Sequence, residues 1–372
     1  MVTAPPTQST ANPLGIVQAM PLGPLSGSWV IALRETQQVD GYVRVEVIAT
    51  PFGISSPRVA VSFVQPSGGV NLPAPNGIGG QLSPDGRSIV LGVEGRTRGG
   101  ELFVVDLEMG RARSLGEGVM PVWGGAGIAF QRRHPTDVYG AGTSWIIDPA
   151  GGSPTHIPDD AVPLLWHRDS LVVATVTGLE IRVPADARSG FPIPAKLDNG
   201  PVGERPVSDR AASGVTVLAV PTFTGTDIAA THRIEVVSTP GAGTRETVAS
   251  AEGSFLETRF AEPRWNPNPE VRQILYRREG SRGRALRILD LGGGRDLVAT
   301  TRGVPRRAAW SPDGEQVVYT TDPLTADGPA TQVRSIRPLS GRDDLLLLET
   351  ELGQTQSFRD VASFDYGPPR PP

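Results

Sequence analysis

Residues 82–94 read LSPDGRSIVLGVE and residues 310–322 read WSPDGEQVVYTTD. Each copy is a large apolar residue, then Ser-Pro-Asp-Gly, then a run of β-forming residues. A further apolar run follows each copy: ELFVVDLEMG from Glu101 and TQVRSIRPLSG from Thr331. Ser-Pro-Asp-Gly suits a type I turn, because Pro presets φ at the second position, Ser and Asp bond back to the backbone, and Gly relaxes the exit. The motif therefore predicts, twice, a tight turn joining two antiparallel strands.

Sliding this pattern along the chain finds degenerate copies at Trp123, Trp166, Trp265 and Phe364, with a weaker one at Val207. The anchors 82, 123, 166, 207, 265, 310 and 364 recur at a spacing close to the roughly 40 to 50 residues of a four-stranded propeller blade. Each interval holds short β-rich runs such as QILYRRE, ALRILDL and RDLVATT, broken by turn residues and without helical periodicity. The expected fold is all-β, a β-propeller of seven four-stranded blades. A ring of six is the competitor, because the Val207 anchor is the weakest.

The two ends account for the last blade. SWVIALRE (28–35), VRVEVIAT (43–50) and PRVAVSFV (57–64) are three strands without an anchor, whereas SFRDVASFDYG (357–367) is an anchor strand with nothing after it. Joined, they make one blade, a closure that removes open sheet edges. The organisation expected is a flexible tether over 1–26, a single propeller domain over 27–367 and a Pro-rich tail over 368–372.

Composition narrows the chemistry. The 372-residue chain has a formal net charge of −4, so it lacks the basic footprint of a nucleic-acid binder. It has no cysteine, which removes disulfides, zinc-thiolate sites and thiol nucleophiles. Its one lysine, Lys196, is outside any phosphate-loop context. No stretch approaches 18 consecutive apolar residues, and Met1–Gly23 has neither the charged nor the apolar region of a signal peptide. A Pro/Thr/Ser-rich start of this kind suits a tether behind a removed export signal or anchor. The expected address is therefore periplasm, cell envelope or extracellular space, or cytoplasm if Met1 is the native start.

LSPDGRSIVLGV and WSPDGEQVVYTT resemble the WD40-like repeat of TolB-type propellers. That motif is shared by periplasmic translocation proteins, the propeller domains of prolyl-oligopeptidase-like enzymes and many bacterial envelope proteins. The resemblance implies the ring. It does not transfer a partner or role, because TolB-type proteins carry an α/β domain before the ring, whereas here the chain enters the ring within about 27 residues.

Most conspicuous residues have scaffold readings. Trp123, Trp166, Trp265 and Trp310 recur at blade spacing, as side chains wedged between adjacent sheets do. Asp85 and Asp313 belong to the turns. Gly142-Thr143-Ser144-Trp145-Ile146 starts like a nucleophile elbow but has Ile where the final Gly belongs. His134, His156, His167 and His232 are scattered, and Asp322–Gly328 lacks the alternating oxygens of an EF-hand loop. Asp159-Asp160 and Asp343-Asp344 would point to opposite faces of a strand. No catalytic residue, metal site or cofactor is expected.

What remains is the ring surface. Aligned on Trp310, the residues starting the innermost strands include Glu262, Arg264, Arg306, Arg307, Arg359 and Asp360, with Met120 and Gly79 at neighbouring blades. This arginine-rich set at the channel mouth suits either a carboxylate or phosphate of a ligand or partner, or salt bridges that close the ring. Two longer intervals place extra chain in candidate loops at Phe223–His232 and Asp322–Gln332, polar or small and suited to contacts. The reading is a non-enzymatic protein-binding or assembly module, its protein partner and oligomeric state open, with membrane proximity through the tether. The alternatives are a propeller enzyme with its site at the channel mouth, metal-assisted and lactonase-like or glycan-active, and a permanent subunit of a larger membrane-associated complex.

Overall fold

The computed structural model describes residues 15–38, 41–52, 56–66, 81–93, 100–132, 142–158, 161–167, 170–175, 178–182, 191–193, 208–212, 215–225, 228–239, 245–254, 256–281, 283–299, 301, 303–322, 332–338, 342–349 and 356–367. Their strands form seven antiparallel sheets. Sheet I runs outward from Gln356–Asp365 through Ser28–Gln37, Tyr42–Pro51 and Arg58–Pro66 to a short edge strand, Gln18–Ala19. Sheet II holds Ser88–Val93, Glu101–Asp106 and Arg111–Glu117, with Leu82 bridged to Ile89 on its inner side. Sheet III comprises Val119–Gly124, Gly127–Arg132, Thr143–Ile147 and Thr155–Ile157, and sheet IV Val162–His167, Ser170–Thr175, Gly178–Arg182 and Phe191–Ile193. Sheet V comprises Ser208–Ala212, Val215–Gly225, Ala230–Thr239 and Arg245–Gly253. Sheet VI comprises Arg259–Trp265, Gln273–Gly280, Gly283–Asp290 and Arg295–Ala299, and sheet VII Val304–Trp310, Val317–Asp322, Gln332–Arg337 and Arg342–Glu349.

The core shows how the sheets are arranged, because each apolar cluster straddles one pair of neighbours. Trp29 and Phe63 of sheet I meet Ile89 and Val105 of sheet II. Val90 and Leu102 meet Ile128 and Phe130 of sheet III, and Val122 and Ala129 meet Trp166 and Val173 of sheet IV. Leu164 and Val172 meet Leu218 and Val220 of sheet V, and Ala219 and Ile234 meet Phe260 and Tyr276 of sheet VI. Leu275 and Ile288 meet Trp310 and Tyr319 of sheet VII, and Val318 and Val333 meet Val30 and Phe358 of sheet I. Seven seams joining seven sheets in chain order, the last returning to the first, make a closed ring. Each fully buried Val, Leu, Ile or Phe at a seam contributes about 1.5–3 kcal/mol.

Closure occurs in sheet I as the two chain ends suggest. Gln356–Asp365 pairs with Ser28–Gln37, so the last strand of the chain lies inside the first. The Ser-Pro-Asp-Gly segments are turns: Gly86 N donates to Ser83 O at 2.7 Å and Gly314 N to Ser311 O at 2.9 Å. Ser83 Oγ and Arg87 N both donate to Asp85 Oδ1, and Glu315 N donates to Asp313 Oδ1. Gly86 sits at φ +68°, and a Cβ there would lie 2.4 Å from the Phe364 ring, so the turn needs glycine for both conformation and space.

Leu82, Trp166, Trp265 and Trp310 are buried in the seams and Trp123 and Phe364 pack against them, while the Val207 anchor lies outside the described residues. Trp310 Nε1 donates to Arg264 O at 3.0 Å and Trp166 Nε1 to Val122 O at 3.2 Å, in each case the residue before the anchor of the preceding sheet. Equivalent positions thus meet, and the first strands of successive sheets run in the same direction side by side. Connections from second to third strand, and from fourth strand to the next sheet, therefore emerge on one face of the ring.

Two expectations need correction. Residues 15–26, assigned to a flexible tether, are packed: Gln18 and Ala19 pair with Ser62 and Val61, while Leu22 and Leu25 are buried in the seam between sheets I and II. Only 1–14 of the tether, and 368–372 of the tail, lie outside the described residues. Phe223–His232 is not a loop. The strand ladder continues through Phe223↔His232 to Gly225↔Ala230, because Thr222, Phe223 and Thr224 are strand-forming residues, and they pair with Arg233, His232 and Thr231.

Candidate binding surface

The innermost strands of sheets III, IV, VI and VII share an irregularity two to four residues before the anchor. Pairing shifts occur between Val119 and Val122, Pro163 and Leu165, Ala261 and Arg264, and Pro305 and Ala308. Met120 and Glu262, both at anchor minus three, are the two non-glycine residues with positive φ among those described, at 52° and 53°. A bulge re-aims the side chain it carries. At Glu262 it places the carboxylate in the seam with sheet VII.

There Glu262 accepts from Arg277 Nη1 at 3.2 Å and pairs with Arg307 of sheet VII. Arg277 also donates to Arg306 O and to Glu279, and Glu279 pairs with Arg259 and, at 3.5 Å, with Arg284. Arg277, Glu262 and Glu279 are buried. Burial pushes the Glu279 carboxyl up, but the Arg277, Arg259 and Arg284 guanidiniums together outweigh it and hold it below the usual carboxylate range.

A second pair of charges acts electrostatically at the mouth. Burial lowers the pKa of the Arg264 guanidinium, and Asp360 works against that shift. Arg264 belongs to sheet VI and Asp360 to sheet I, the two neighbours of sheet VII, so the groups influence each other across the front of sheet VII. Arg359 lies apart from this cluster and pairs with Glu35 on the adjacent strand.

Of the residues read from sequence, Glu262 and Arg307 meet directly, Arg306 joins them through its carbonyl, which accepts from Arg277, Asp360 acts electrostatically on Arg264, and Gly79 lies outside the described residues. Arg259, Arg277, Glu279 and Arg284 were missed. They come from the outset of the first strand and from the second and third strands of sheet VI. The available signal was the Arg277-x-Glu279 spacing, which puts both side chains on one strand face. Glu180-x-Arg182 repeats it in sheet IV, with a 3.1 Å ion pair.

Elsewhere, Ser144 is buried inside strand Thr143–Ile147, away from any strand-to-helix turn. His156 is exposed and edges onto Trp145, and His232 is buried against Phe223. His134, the His167 side chain, Asp159-Asp160, the Asp343-Asp344 side chains and 323–328 lie outside the described residues.

No protein-family model matches the chain, and no curated protein matches it. Solved structures do. The periplasmic gluconolactonase PpgL of Pseudomonas aeruginosa is similar over 90% of this chain and 99% of its own, with a TM-score of 0.51 and 14% identity. The β-propeller domain of the trilobed protease of Pyrococcus furiosus is similar over 86% and 93%, with a TM-score of 0.51 and 14% identity. The fold is a β-propeller. TolB of Acinetobacter baumannii is a more distant match, covering 87% of this propeller and 70% of its own chain at a TM-score of 0.39 and 12% identity.

Glu279 makes a pH prediction. Its native pKa lies below its unfolded value, so its contribution to stability is complete above the unfolded value of about 4.3 and is lost as pH falls from there through the native value. Denaturation midpoints measured between pH 6 and pH 3 should therefore show the wild type losing its advantage over Glu279→Gln below about pH 4. A gap that stays constant across that range would remove the charge network as its source.

Proposed function

We propose that this propeller is a non-enzymatic module that binds a protein partner through the face carrying the second-to-third strand connections. One observation carries the reading. Past Ala219, whose partner Ser208 is the last described residue of the innermost strand, the second and third strands of sheet V run on from Val220 to Gly225 and from Ala230 to Glu235. At about 3.3 Å per residue the strands lengthen by nearly 20 Å; Val220 and Ile234 at their base are buried in the seams, whereas Thr224 and Gly225 at their end are exposed. Ile228 at its tip and Leu256 in the following turn are 83% and 84% exposed at the same end of the sheet. Such a projection suits a partner with an apolar pocket for two aliphatic side chains.

Among the described residues near the mouth, Glu262 and Glu279 are paired with arginines, which supports binding over catalysis. The proposal includes seven blades, TolB-like repeats in sheets II and VII, and an address in the envelope or outside the cell. The Ser-Pro-Asp-Gly resemblance supports the last two.

The test is affinity capture on wild-type protein and on Ile228→Asp/Leu256→Asp, with bound metal measured in the same samples. A stoichiometric partner lost at least tenfold in the double variant, at unchanged melting temperature, supports the proposal. Equal capture by both proteins, or a bound metal accompanied by lactone or glycan hydrolysis, overturns it.

A further inference from the structure

The stretch from Gly15 to Gly27 touches three separate parts of the ring. It first lies along the outer edge of sheet I: Gly15 N donates to Val64 O at 3.0 Å and Met20 N to Ala60 O at 2.8 Å. It then crosses to the outer turn of sheet II, where Leu22 N donates to Leu107 O at 2.9 Å and Gly23 N to Glu108 O at 3.1 Å. The Glu108 side chain accepts from Leu25 N at 2.8 Å and pairs with Arg87. Finally it reaches the end of the last strand, where Gly27 N donates to Gly367 O and Tyr366 N to Gly27 O, at 2.9 and 3.0 Å. Tyr366 Oη in turn donates to Gly86 O of sheet II at 2.8 Å.

In sheets III to VII the first strand has at least five residues, whereas on the inner side of sheet II the described residues supply the Leu82↔Ile89 bridge with the Val90 N to Gln81 O and Ser83 N to Ser88 O bonds. The crossing segment adds Leu22 and Leu25, at 3% and 1% exposure, to the apolar cluster of that seam. Its path over sheet II is fitted closely: a Cβ on Gly110 would lie 2.3 Å from Pro21 N.

We propose that residues 15–27 are a clasp that holds the seam between sheets I and II shut, so that the ring opens first at that seam when the clasp is loosened. Closure then has two parts, strand exchange within sheet I and the clasp across to sheet II. Local opening of this kind is read by amide exchange.

The sequence supplies a matched pair of variants. Gly110 and Gly294 end equivalent outer turns, Asp106–Gly110 and Asp290–Gly294, and both have φ +62°. A Cβ at Gly294 meets nothing within 4 Å. Gly110→Ala and Gly294→Ala thus carry the same backbone strain, and only the first pushes on the clasp.

Hydrogen exchange on the full chain should show amides of Ser88–Val93 and Glu101–Asp106 exchanging at least tenfold faster in Gly110→Ala, with Gly127–Arg132 and Ser170–Thr175 unchanged. Gly294→Ala should leave sheet II at the wild-type rate. Leu22→Ala/Leu25→Ala should reproduce the Gly110→Ala pattern more strongly. Equal behaviour of the two glycine variants, or acceleration spread evenly around the ring, overturns the clasp. The glycine comparison decides the matter even if the leucine variant does not fold.

Discussion

Trp310→Ala is expected to cost about 3 to 5 kcal/mol of unfolding free energy, the range for removing a large aromatic from a packed core. The side chain is 7% exposed and fills the seam between sheets VI and VII beside Leu275, Ile288 and Tyr319. Its indole N–H also satisfies Arg264 O. Trp310→Phe separates the two contributions. Phenylalanine keeps most of the apolar contact but leaves the carbonyl without its donor, a loss of about 1 to 3 kcal/mol where water cannot reach it. Denaturant midpoints at constant m-value give both numbers. A cost below about 1 kcal/mol for the alanine variant would mean that the seam collapses around the gap, and that aromatic spacing does not report on sheet packing.

Spacing of this kind was legible because it rests on local chemistry that repeats. Pro84 and Pro312 preset a turn wherever they sit, and the large apolar residue before the turn lands in a seam in both copies, so two good copies located Trp123, Trp166, Trp265 and Phe364, while Val207 lies outside the described residues. The sharing of sheet I between the chain ends followed from counting strands. Other features had no such local signature. Leu22 and Leu25 are single apolar residues among Pro, Gly and Ser, without period 2 or 3.6, and only the turn of sheet II opposite them makes them core. The excess length near Phe223 was visible, but Gly225 and Asp227 read as loop, and nothing nearby announced that Thr222 to Gly225 would keep a strand partner. At the mouth, alignment found the residues on the innermost strands. Arg277 escaped because it sits on a second strand beside another arginine, Arg278, and its role depends on a bulge at Glu262 that no single residue type demands.

Arg277→Ala is the second large effect expected, at about 3 kcal/mol or more, from the general cost of removing one partner from a buried ion pair. Arg277 is 3% exposed and serves Glu262, Glu279 and Arg306 O together, so its loss affects two buried carboxylates and a main-chain acceptor. Arg307 still holds Glu262, while Arg259 and Arg284 still hold Glu279, which keeps the expected cost near the lower end of the range. Because the pairs are buried, raising salt from 0.05 to 0.5 M should change the difference little, whereas a solvent-exposed pair would be screened. The measurement also bears on what the mouth does. If the ion pairs are mortar between sheets VI and VII, Arg277→Ala lowers stability and leaves partner capture by the intact face of the ring unchanged. A cost under about 1 kcal/mol with a strong salt dependence would instead mark a hydrated, open cluster. Glu262 and Glu279 would then be available to a ligand, and the case for binding through the sheet V projection alone would fail.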